Sequence, residues 1–236
     1  MNGYRKELKY IVSEAFLMDV ENRISSVMMR DEHQKGDFYG IRSIYLDTPD
    51  YSCRRENEAG ISTREKYRIR IYDSSEDIIN AEIKIRHRDT ISKMTRKISK
   101  QTVEALVEGD VYRTLDLLEE QKDSGMGDRV LDKYKLRIGA KEYKPAVIVD
   151  YERTAYVYPI ANVRITLDRN VFASKEFDRF FEKNLRGIPA IENGLHVLEI
   201  KYDEFLPSEI AQLLSGLNLE RCGCSKYVRC LKAFET

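Results

Sequence analysis

Residues Ala81-Glu82-Ile83-Lys84-Ile85-Arg86-His87-Arg88 alternate between apolar and charged with a period of two. That period predicts a β-strand with two unlike faces. Glu82, Lys84, Arg86 and Arg88 share the charged face. The same alternation recurs in Arg68-Ile69-Arg70-Ile71, in Val163-Arg164-Ile165-Thr166-Leu167-Asp168 and in Leu198-Glu199-Ile200-Lys201. Such strands point cations and a few carboxylates at one shared interior, and an interior of that kind suits a polyanionic phosphate.

The remaining pattern supplies the frame. Arg5 to Val12 reads as a strand with Arg5, Glu7 and Lys9 on one face. Ser13 then caps a helix reaching about Met29, with Phe16, Leu17, Val20, Ile24 and Val27 as its apolar stripe. Tyr39 to Leu46 is a strand closed by the turn Asp47-Thr48-Pro49-Asp50, and 51–60 is a short helix or loop. Lys66 to Tyr72, Ile79 to Arg88 and Ile91 to Ser99 form a meander, with a turn at Asp89-Thr90. Gln101 to Glu120 has helical spacing despite Gly109, Ser124 to Gly127 reads as flexible, and Asp128 to Ile138 is a short helix or extended. Ala146 to Val157, Val163 to Asp168 and His196 to Tyr202 are strands. Ser174 to Arg186, Pro207 to Leu214 and Ser225 to Phe234 are helices.

About eight strands with short turns predict antiparallel pairing. Charged residues on the strand interiors predict a closed, polar-lined barrel. An unpaired ion in a dry barrel costs several kcal/mol, so the interior must hold water or anions. The outward Ile69, Ile71, Ile83, Ile85, Ile165, Leu167, Leu198 and Ile200 then pack under amphipathic helices. The fold class is therefore α+β, an eight-stranded antiparallel barrel tunnel with flanking helices, read as one domain over 1–236.

Composition narrows the partners. The chain carries 40 basic and 40 acidic residues, so any basic site must arise by clustering. Neutral overall charge, with cations on barrel-facing positions, argues against nucleic acid. No secretory signal and no apolar run of membrane-spanning length is evident, and four cysteines suit a reducing compartment. A cytoplasmic protein is expected, with peripheral docking at the inner face of a membrane left open. Cys222, Cys224 and Cys230 lack a nearby fourth ligand and make a poor zinc site, and His33, His87 and His196 share no spacing. No glycine-rich phosphate loop of the Walker type is present.

Eight motifs occur in order: Arg5-Lys6-Glu7-Leu8-Lys9-Tyr10, Ser43-Ile44-Tyr45-Leu46-Asp47-Thr48, Tyr67-Arg68-Ile69-Arg70, Glu82-Ile83-Lys84, Asp150-Tyr151-Glu152-Arg153-Thr154-Ala155, Val163 to Asp168, Val197 to Lys201, and Ser225-Lys226-Tyr227. Together they resemble the VTC domain family, the polyphosphate polymerase branch of the CYTH-like, triphosphate tunnel metalloenzyme superfamily. The resemblance implies a tunnel that binds ATP with a divalent metal, manganese or magnesium, and passes a growing polyphosphate chain. It implies phosphate contacts at Lys9, Arg68, Arg70, Lys84, Lys93, Arg153, Arg164 and Lys226. Arg96 is the rival to Lys93 in register, and Lys201 is a further contact. It implies Glu199 as metal ligand, with Glu7 a second candidate or an organiser of Arg68.

Arg5 replaces the first Glu of the superfamily's Glu-x-Glu-x-Lys, which disfavours a two-metal triphosphatase. The phosphate-sensing SPX domain and membrane spans of eukaryotic polymerase subunits are absent from this sequence, so coupling to transport calls for a separate membrane-protein partner. Oligomeric state is left open. A tunnel triphosphatase and a non-catalytic polyphosphate or nucleotide-binding module remain the alternatives. Asp168 and Glu152 read as supporting residues, and Glu82 as the local counter-charge of Lys84.

Overall fold

The computed structural model describes residues 5–88, 90–122, 128–217 and 219–235. The chain begins with strand β1 (Lys6–Ser13), helix α1 (Glu14–Ile24), the two-residue β2 (Met29–Arg30), β3 (Tyr39–Asp47) and α2 (Ser52–Glu58). The meander β4 (Thr63–Tyr72), β5 (Asn80–His87) and β6 (Thr90–Lys97) follows, then α3 (Lys100–Glu108), α4 (Val111–Glu120) and α5 (Arg129–Lys141). Last come β7 (Lys144–Tyr158), β8 (Val163–Ser174), the short β9 (Ile188–Pro189), β10 (Leu195–Tyr202), α6 (Ser208–Leu213) and α7 (Lys226–Lys232). Among the described residues no helix is long and apolar enough to cross a membrane.

The ten strands among the described residues belong to one antiparallel sheet along the path β1-β10-β8-β7-β3-β4-β5-β6, with β2 beside β7 and β9 beside β8. The expected closed barrel is not formed. β1 and β6 end the path without pairing to each other, although Glu7 of β1 receives Lys84 of β5 at 3.1 Å. This interior keeps a cavity of about 790 Å³, lined by residues of β1, β4, β5, β7 and β10.

Two apolar clusters pack outside the curled sheet. Leu17, Val20 and Ile24 of α1 cover the outer residues of β1, β8 and β10, including Ile165, Leu167, Leu198 and Ile200. Helices α3, α4, α5 and α7 cover the outer face of β3, β4, β5 and β7, burying Ile69, Ile71 and Ile83. Ile85 packs there only partly buried. Each fully buried aliphatic side chain contributes ~1.5–3 kcal/mol, so these outer faces set the strand register and leave the charged face inward.

Local chemistry explains the helix ends. Ser13, Ser99, Asp110, Asp128 and Ser225 each cap a helix by accepting a backbone N–H. Gly109, at φ 78, splits the expected 101–120 helix in two, because a left-handed residue stops one helix and lets Asp110 cap the next. Helix α1 ends at Ile24 rather than near Met29. Met29–Arg30 pairs with β7 instead, which leaves Val27 exposed.

The expected 174–186 helix is absent. β8 runs to Ser174, and only a single 3₁₀ turn forms at Phe177–Arg179. The buried Arg42 guanidinium takes the carbonyls of Phe180 and Glu182 at 2.8 and 2.5 Å, acceptors that a helix would have used. The expected turn residue Asp89 and the 124–127 segment lie outside the described residues.

Candidate functional site

The cavity is lined by twelve basic side chains and two acidic ones, Glu7 and Glu199. A chain of zero net charge has thus concentrated its positive charge in one concave place. Alternation does the positioning. Residues 64, 66, 68 and 70 of β4 and 84 and 86 of β5 share the inward face, and all six line the cavity.

At the innermost end the cations are compensated. Arg153 makes a two-pronged contact to Asp168 at 2.6 and 2.7 Å. Lys226 lies 2.5 Å from Asp168 and 2.7 Å from Glu199. Glu199 also meets Lys201 at 2.7 Å, Lys9 at 3.6 Å and Arg153 at 3.9 Å. Burial opposes its ionisation, but Lys201, Lys226, Lys9 and Arg153 hold it well below the usual carboxylate range. Glu7 is depressed in the same way, against burial, by Lys84, Lys9 and Lys201. Burial lowers Lys84 to about 7, Lys9 and Lys201 add to that, and Glu7 opposes it.

Arg68 donates to Glu82 at 2.7 Å and to the Tyr45 hydroxyl at 2.9 Å. Glu82 also meets Arg70 at 3.9 Å and Lys93 at 2.7 Å. The counter-charge of Lys84 is therefore Glu7, not Glu82. Positions two apart on one strand stand ~6.6 Å apart, whereas curling brings β1 against β5.

The structure brings Lys9, Arg68, Arg70, Lys84, Arg153, Lys201, Lys226, Glu7 and Glu199 into one cavity wall. Lys93 lies opposite Lys84 on β6, half-exposed, bonded to Glu82 but outside the cavity lining. Arg96 points to the other face, where it meets Asp128 at 2.9 Å. Arg164 stands apart beside a smaller groove, with Asp31 at 2.5 Å and the Tyr39 hydroxyl at 3.2 Å. His87 bonds Thr63, and His196 bonds Glu14, both away from the cavity. All four cysteines are free thiols, and among the described residues no group of three or more His, Cys, Asp or Glu is placed to hold a metal ion.

Lys66 escaped the motif reading, although its parity with Arg68 and Arg70 would have found it. Its amine donates to Asn57 at 2.7 Å and Ser225 at 2.9 Å, and among the described residues no carboxylate pairs with it. Burial, Lys84, Lys9 and Arg64 push it well below its ordinary 10.5, with Cys53 opposing weakly. The folded protein therefore binds fewer protons than the unfolded chain in the window beneath 10.5. The Lys66 contribution to stability rises with pH through that window and is lost as pH falls.

An anion entering the cavity favours the charged amine, so binding takes up protons in the same window. Titration calorimetry of tripolyphosphate in buffers of different ionisation heat measures that uptake. Lys66→Met is expected to reduce it. Equal uptake in the variant removes Lys66 from the anion's surroundings.

Tyr45, Tyr151 and Tyr227 also line the cavity. Tyr151 opposes burial with Arg153, Arg70 and Lys226 around it, and its hydroxyl is more acidic than usual. Glu7 and Glu199 offer hard, ionised oxygens of the kind that magnesium and manganese prefer. Two carboxylates fit a cation that keeps water and phosphate oxygens in its remaining positions, and the site has no all-protein cage.

No curated protein sequence matches the chain. Among solved structures it is similar to a candidate adenylate cyclase from Bacillus halodurans, with TM-score 0.50 and 16% identity over 92% of this chain and 93% of that one. A protein from Pyrococcus horikoshii OT3 gives TM-score 0.49 and 17% identity over 97% and 99%. The VTC domain model matches residues 4–235, nearly the whole length, and seven of the eight motifs it spans contribute to the cavity wall, Val163 to Asp168 being the exception. The chain belongs to the VTC domain family.

Proposed function

We propose that this protein is an ATP-dependent polyphosphate polymerase, whose cavity seats the ATP phosphates and the end of a polyphosphate chain. The observation that carries this reading is the excess of basic over acidic side chains facing one cavity, twelve against two. A terminal phosphate oxygen of the chain attacks the γ-phosphorus in line. The bond from that phosphorus to the β-bridging oxygen breaks, ADP leaves, and the chain is one phosphate longer. The nucleophile is already anionic, so no side chain has to remove a proton.

Phosphoryl transfer asks a protein mainly for position and charge neutralisation. Arg68, Arg70 and Arg153 offer planar forks for phosphoryl oxygens, and Lys9, Lys84 and Lys226 offer point charges. Their present partners, Glu82, Asp168, Glu7 and Glu199, keep them ordered until an anion arrives. Glu199 and Glu7 would hold a divalent cation. When bound, such an ion neutralises phosphoryl oxygens and orients the phosphorus.

Incubation with ATP and manganese is expected to yield ADP together with long-chain polyphosphate. ADP with free phosphate would instead mark a hydrolase, and no ADP a binding module. Glu199→Gln is expected to abolish turnover, and full activity in that variant removes Glu199 from the reacting centre.

A further inference from the structure

The compensation of cations falls away from the centre of the cavity toward its mouth. The register sets three rungs across β4 and β5. Arg68 faces Glu82, Lys66 faces Lys84, and Arg64 faces Arg86. The first rung is neutralised within itself. The second borrows Glu7 from β1 for Lys84 alone. Neither residue of the third forms a close ion pair among the described residues, and Glu56 attracts Arg64 only from beyond salt-bridge distance, more weakly than Arg86 repels it. Arg64 spends one nitrogen on the Ile61 carbonyl at 2.6 Å, and Arg86 spends Nε on the Arg88 carbonyl at 2.8 Å.

Like charges directly opposite each other destabilise a strand pair. Here two such rungs stand in succession, and every one of their four side chains lines the cavity. A solvated face relieves repulsion by interleaving acids, as the first rung does with Glu82. Guanidinium nitrogens left over from the two carbonyl contacts form forks that match phosphate oxygens.

We infer that Arg64 and Arg86 form an outer polyanion subsite at the cavity mouth, which grips linear phosphate chains beyond the reach of a triphosphate. The subsite makes the protein selective for chain length. This inference rests on the proposed phosphate-binding role of the same cavity. Four residues separate Arg64 from Arg68 along β4, a distance of ~13 Å. Three linked phosphoryl groups seated at Arg68 and Arg70 end short of that pair. A longer chain spans both.

The test compares tripolyphosphate with polyphosphate of several tens of units, binding to the full chain and to the double variant Arg64→Gln/Arg86→Gln. The wild-type protein is expected to bind the long chain more tightly per molecule and with a steeper salt dependence. The double variant is expected to lose about tenfold or more in long-chain affinity, to lose severalfold less in tripolyphosphate affinity, and to show a shallower salt slope. Retained tripolyphosphate binding also reports that the variant is folded. Arg64→Lys/Arg86→Lys, which keeps the charge, is expected to recover part of the loss.

Unchanged long-chain affinity in the double variant overturns the outer subsite. So does a wild-type protein that grips long chains no better than tripolyphosphate. A wild-type protein that binds neither ligand fails at the parent reading, and that result is distinct from both of the others.

Discussion

Replacing Arg68 with alanine is expected to weaken tripolyphosphate binding about a hundredfold or more, the range seen when one member of a buried charge pair is truncated. Two effects act together. The cavity loses a planar fork, and Glu82 loses its closest counter-charge, at 2.6 Å. Glu82 is fully buried and ionised, and the half-exposed Lys93 and the more distant Arg70 are its remaining partners. The variant therefore turns an uncompensated carboxylate toward the incoming anion.

Arg68→Lys separates the two effects. It keeps a charge near Glu82 but cannot grip two oxygens or hold the Tyr45 hydroxyl as Arg68 does. An intermediate loss is expected, measured by calorimetry at fixed salt. Affinity equal to wild type in both variants would remove β4 from the phosphate site.

Much of this arrangement was legible from local pattern. A period of two fixes which residues share a face, so Arg68, Arg70, Lys84 and Glu199 point inward while Ile69, Ile83 and Ile200 pack outward. The Ser13 cap was legible for the same reason, since it acts on a donor three residues away. What escaped was nonlocal. Which carboxylate serves Lys84 depends on how far the sheet curls, and no single strand encodes that.

The 174–186 segment has helix-like spacing, yet Arg42, more than 130 residues earlier, claims its carbonyls. Whether Lys93 or Arg96 faces the interior depended on the β5–β6 register. That register sets Lys93 opposite Lys84 and turns Arg96 toward Asp128. Lys66 was overlooked because it carries no motif of its own. Its chemistry appears only when α2 and the cap of α7 deliver Asn57 and Ser225 to it.

Asp168→Asn is expected to cost about 3–5 kcal/mol of folding stability, the range for breaking a buried ion pair from one side. Asp168 is fully buried and receives both Arg153 and Lys226. Burial opposes its ionisation, but Arg153 and Lys226 keep its carboxyl below the ordinary 3.8. A depressed carboxylate contributes stability that is present above that ordinary value and is lost as pH falls below it. The asparagine variant lacks that contribution at neutral pH, so its denaturant midpoint should shift down with little change in slope.

The deficit is electrostatic in origin and faces a cavity, so an anion should repair it. Saturating tripolyphosphate is expected to raise the midpoint of the variant by more than that of the wild type. Binding to the variant no longer competes with Asp168 for Arg153 and Lys226, and ligand linkage converts the gain into stability. A larger rescue in the variant would identify these two cations as phosphate contacts. Equal or smaller rescue would confine them to a structural ion cluster beneath the site.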